Sequence, residues 1–117
     1  MHLVRHHDAP AYDAPGHAGF EMRRLQGREA GPADTAWIGL SVVAPSGCTT
    51  LSASALEKFY VVLEGELAFT GVLPDGSTRT ETLRALDSCR IAPGEARRLV
   101  NHGEHPARVL LVMAEPR

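Results

Sequence analysis

One lysine, Lys58, stands among the chain's twelve lysine and arginine residues. It lies in the run Glu57-Lys58-Phe59-Tyr60-Val61-Val62-Leu63-Glu64-Gly65-Glu66-Leu67, two residues before Tyr60. A lysine in an apolar strand can act as a point charge for an anion, or, with a depressed pKa, as a general base or Schiff-base amine. Tyr60 beside it can pack with its hydroxyl bonded or deliver a proton. Ser52 and Ser54 carry hydroxyls upstream, but no His-Asp pair at a recognisable spacing makes either a nucleophile. The histidines His2, His6, His7, His17, His102 and His105 are scattered. Adjacent His6 and His7 on an extended chain point to opposite faces, a poor start for chelation, so solvated surface positions are expected for all six. Cys48 and Cys89 lack Cys-x-x-Cys spacing and read as reduced thiols, with a disulfide as the alternative, and Cys89 as a small buried apolar residue.

Positioning these groups falls to strands. The apolar stretch within 59–63 reads as a strand buried on both faces, with Phe59, Val61 and Leu63 on its outer side. Gly65 then permits a bend, and Leu67 to Thr70 resumes as strand, which is how a small sheet curls into a barrel. Further strands are predicted at Phe20–Leu25, at Thr35–Ala44 up to a stop at Pro45-Ser46-Gly47, and at Cys89–Ala92, Arg97–Asn101 and Ala107–Ala114. Pro74-Asp75-Gly76 turns a hairpin between Phe69–Leu73 and Thr78–Leu83. Residues 1–19, with their prolines and glycines, form an arm with turns and a short strand at Leu3-Val4. Trp37 is expected in the core or in a dimer interface. No run of ten or more residues keeps a helical apolar period, so eight or nine short strands make an all-β barrel over 20–117.

A chain of 117 residues is one domain. A net charge of −2 and a pI near 6.3 offer no basic face to nucleic acid. The N-terminal stretch has no apolar core of signal-peptide length and no segment is long enough to span a bilayer, so a cytoplasmic protein without membrane contact is expected.

Two stretches resemble the motifs of the cupin family. Tyr60-Val61-Val62-Leu63-Glu64-Gly65-Glu66 is similar to the phrase that ends the first cupin motif, G-x5-H-x-H-x3-E-x6-G. Ile91 to Asn101 is similar to the second, G-x5-P-x-G-x2-H-x3-N, with Gly94 and Asn101 in place, and Pro106 to Val112 resembles the final strand. The resemblance covers roughly residues 36 to 114 and implies a single cupin-type jelly-roll barrel, commonly paired as a homodimer through an N-terminal arm. In cupins two histidines, a glutamate and a third histidine bind a metal ion. Counting from Gly65 and Gly94, those positions hold Ser52, Ser54, Lys58 and Arg97. Serine is a poor neutral donor, and protonated lysine and arginine have no lone pair to give. The expectation is no metal and no cofactor.

Because the ligand positions of cupins face the cavity, the resemblance turns Ser52, Ser54, Lys58, Tyr60, Arg97, Leu99 and Asn101 inward. Two cations there need a partner, either Glu57 or Glu95 of the protein or an anionic ligand. The implied function is a metal-independent cupin that holds a small, carboxylate-like anion with Ser52, Ser54, Lys58, Arg97 and Asn101. Lys58 and Tyr60 would be its catalytic groups if it is an isomerase, lyase or hydrolase. Two alternatives stay open: a non-catalytic binding or sensing module, and a metal-dependent cupin such as a dioxygenase with non-standard ligands. Asn101 has a second reading, as the amide that ties a loop.

Overall fold

Alternation of apolar and polar residues along most of the chain gives each strand an inner and an outer face, and antiparallel pairing assembles them into one sheet. The computed structural model describes residues 1–115. Its strands are β1 (Ala11–Tyr12), β2 (His17–Gln26), β3 (Ala36–Thr49), β4 (Ser52–Ala53), β5 (Lys58–Glu64), β6 (Glu66–Val72), β7 (Thr78–Arg84), β8 (Ser88–Ile91), β9 (Ala96–Val100) and β10 (Ala107–Ala114). The sheet runs β7-β6-β9-β3-β10-β5-β8, with β2 added beside β3, β1 beside β2, and β4 beside β9. It curls until its end strands approach each other, and a nearly closed jelly-roll barrel results.

Gly65 carries the turn on which this closure depends. Its φ of +75° suits glycine, and the chain there leaves one side of the barrel for the other. Before it, β5 pairs with β10 and β8; after it, β6 pairs with β7 and β9. The expected bend is thus a switch between two strands. Phe69, Leu67 and Leu83 from β6 and β7 meet Val62 and Ile91 across the interior in the apolar core. Burying each such side chain contributes about 1.5–3 kcal/mol.

Several elements depart from the sequence-based expectation. Within the single chain the outer face of β5 is only partly covered: Phe59 and Leu63 are 42% and 41% exposed. β3 does not stop at Pro45. It continues to Thr49, because Pro45 sits at an exposed bulge where a missing N–H costs no ladder bond. Ser46 takes φ +67° there, and the register against β2 slips between Ala18 and Phe20. The arm's strand is Ala11–Tyr12, paired with Met22 and Arg23, and not Leu3-Val4. β2 starts at His17, earlier than Phe20. The β6–β7 hairpin turns at Asp75, whose carboxylate receives the Ser77 N–H.

Candidate functional site

A cavity of about 260 Å³ opens at the end of the barrel where β1, β2 and β4 add to the sheet. Period-two geometry brings its walls together: Lys58 and Tyr60 from β5, Arg97 and Leu99 from β9, and Arg24 and Trp37 from β2 and β3. Tyr60 is its floor, packed at 5.3 Å between ring centroids on the core residue Phe69.

Lys58 and Arg97 are only 6% and 7% exposed, and among the described residues neither meets a carboxylate. Lys58 Nζ donates to Ser54 Oγ at 2.8 Å. Arg97 Nε donates to the Tyr60 hydroxyl at 3.0 Å, while its Nη1 reaches Ser52 Oγ at 2.9 Å and the Thr50 carbonyl at 3.4 Å. Burial, helped by the Arg97 charge, lowers the Lys58 pKa. Burial also raises the Tyr60 pKa, which Arg97 partly offsets, so the phenol keeps its proton at neutral pH.

The two glutamates expected as partners are engaged elsewhere. Glu57 pairs with Arg90, and Glu95 accepts the Ala92 N–H. No Asp or Glu lines the cavity among the described residues. The four positions equivalent to the cupin metal ligands therefore do not fit a metal. Two protonated bases project into that space, and no cluster of three His, Cys, Asp or Glu side chains among the described residues could hold an ion.

Ser52, Ser54, Lys58, Tyr60 and Arg97 come together as the motif alignment implied. Asn101 does not join them. Its amide Nδ2 donates to the Val43 and His105 carbonyls and its Oδ1 receives the Gly103 N–H, so its capacity is spent on the loop after β9. The thiol of Cys89 is pushed up to about 11, by burial first and then by Glu95, which leaves it inert.

Three contributors were not expected. His17 is only partly solvated: it borders the cavity, edge-on to Phe20, with Nδ1–H donating to the Pro15 carbonyl at 2.9 Å. Burial and the Arg97 charge lower its pKa. Arg24 and Trp37 form a stacked wall with Tyr12. Alternation along Phe20, Met22 and Arg24 put the arginine on the face of its apolar neighbours, and that is the signal that could have found it.

No protein-family model matches the chain. Over 116 residues it is 41% identical to beta-D-galactosidase Rv1717 of Mycobacterium tuberculosis, covering 99% of this chain and 96% of that protein. Among solved structures, it resembles the polyketide cyclase RemF from Streptomyces resistomycificus, with a TM-score of 0.77 and 28% identity over 97% of this chain and 79% of that one. An RmlC-like cupin from Shewanella frigidimarina matches with a TM-score of 0.77 at 17% identity, over 100% and 93% of the two chains, a likeness of fold. With this barrel and these relatives, the chain belongs to the cupin superfamily and to the family of its mycobacterial relative.

Proposed function

We propose that the barrel cavity binds a small carboxylate-like anion between Lys58 and Arg97 without a metal ion, and that Tyr60 and Lys58 then handle a proton in an isomerase, lyase or hydrolase reaction. One observation carries this reading: two cations are buried in the wall of one cavity, each hydrogen-bonded to neutral groups only. A buried charge is costly until an opposite charge arrives, and arginine's planar fork beside lysine's point charge suits a carboxylate. Tyr60 accepts from Arg97 Nε, so its own proton is free to be given to the ligand.

Tyr60→Phe separates catalysis from binding. On the catalytic reading it lowers turnover about 100-fold or more and changes ligand affinity by less than about threefold. Equal loss of affinity and of signal, with no turnover in the unaltered protein, favours a binding or sensing module.

A second reading, hydrolysis of a β-D-galactoside, has the support of the 41% identity to a protein named for that activity. Glycosidases ordinarily use two carboxyl groups across the scissile bond. The cavity wall offers none among the described residues, so Tyr60 or Lys58 would have to protonate the leaving oxygen. Release of nitrophenol from nitrophenyl β-D-galactoside by the unaltered chain, abolished in Tyr60→Phe, would favour this reading over the first.

A further inference from the structure

The cavity wall two strands away from Lys58, across β10, holds two donors with nothing to donate to. Trp37 is 5% exposed, and its indole Nε1 is buried without a hydrogen-bond partner, as is Arg24 Nη1. The Arg24 guanidinium carbon lies 3.4 Å from the Tyr12 ring centroid and 4.2 Å from that of Trp37, and Nε donates to Glu29 at 3.1 Å. The two rings, nearly perpendicular to each other, and the ion pair therefore engage most of the guanidinium, and Nη1 is left over. Native folds rarely bury donors unmet, and those that do are held for a purpose.

The two ends of the cavity differ in charge. Lys58 and Arg97 are uncompensated, whereas Arg24 is already neutralised by Glu29. The first end calls for an anion. The second calls for an uncharged oxygen, a hydroxyl or a carbonyl. Register sets the span between them: Met113 on β10 is paired with Trp37 on one side and Lys58 on the other, which puts their backbones roughly 10 Å apart. A volume of about 260 Å³ fits a ligand the size of one small ring.

We propose that the cavity selects a hydroxylated carboxylic acid of monosaccharide size, a sugar acid. Its carboxylate lies between Lys58 and Arg97, and a hydroxyl oxygen at its far end accepts from Trp37 Nε1 and Arg24 Nη1. This rests on the anion-binding reading of Lys58 and Arg97 and adds the second anchor.

Calorimetric titration and thermal shift of the full chain with three ring-sized probes test it. Cyclohexanecarboxylate carries the anion alone, D-galactose the hydroxyls alone, and D-galacturonate both. D-Galacturonate is expected to bind at least about tenfold more tightly than either of the others. Trp37→Phe, which keeps the ring and removes the N–H, and Arg24→Gln each weaken D-galacturonate about three- to tenfold and leave cyclohexanecarboxylate within about twofold. If Trp37→Phe fails to fold, Arg24→Gln carries the comparison, since glutamine keeps part of the stem and a polar end. Equal affinity for the two carboxylates, or equal loss of both in the variants, overturns the second anchor and leaves the anion reading standing. Failure of both carboxylates to bind, or D-galactose binding as tightly as D-galacturonate, overturns the two together.

Discussion

At the residue scale the site is a problem of uncompensated charge. Lys58 has a lowered pKa because it is buried and sits near Arg97. Below its folded pKa the amine is charged in folded and unfolded chain alike, and the desolvation penalty is fully present. The penalty fades as pH rises from the folded value toward the ordinary 10.5. Lys58→Met should therefore raise the thermal midpoint at pH 7, by about 4 °C or more, and the advantage should shrink as the pH nears that of free lysine. The same variant should bind D-galacturonate about tenfold or more weakly. Thermal melts at pH 7 and pH 10 beside calorimetry check both halves, and a lowered midpoint would mean that the hydrogen bond to Ser54 and the packing of the lysine stem outweigh the desolvation penalty. The positions of Lys58 and Arg97 were legible in the sequence because each lies at a fixed distance from a motif glycine. Arg24 was not, because its environment is a stack with Tyr12 and Trp37, distant in sequence and joined only when β1, β2 and β3 pair.

At the element scale the fold depends on the crossing at Gly65 and on the loop that Asn101 ties. A Cβ at position 65 would lie 3.1 Å from the Ala107 Cα, in a backbone conformation that L residues rarely adopt. Gly65→Ala should cost about 1–3 kcal/mol in equilibrium denaturation. Asn101→Ala removes three hydrogen bonds at a site only 1% exposed, and should cost about 2–4 kcal/mol without changing D-galacturonate affinity by more than about twofold. A matching loss of affinity would return Asn101 to the ligand site. Most strands were legible from alternation and turn residues. The continuation of β3 through Pro45 was misread, because it is decided by where the neighbouring strand ends, and local sequence does not carry that.

At the scale of the whole molecule, charge is distributed unevenly. The chain carries a net −2, yet the cavity wall gathers Arg24, Lys58 and Arg97 and no carboxylate among the described residues. Water exclusion there strengthens each interaction with an entering anion. The fold was legible as a cupin barrel, and the residues at the ligand positions told against a metal. The chemistry of the substrate was not legible, since it depends on donors brought together from strands far apart in sequence.

Because Lys58 is the single lysine, its titration can be followed without assignment in protein carrying 13C-labelled lysine. The account predicts that the ammonium of the free protein titrates below ordinary lysine, and that saturating D-galacturonate moves it upward as the carboxylate stabilises the charged form. A free-state value at or above that of ordinary lysine, unmoved by D-galacturonate or cyclohexanecarboxylate, would contradict it.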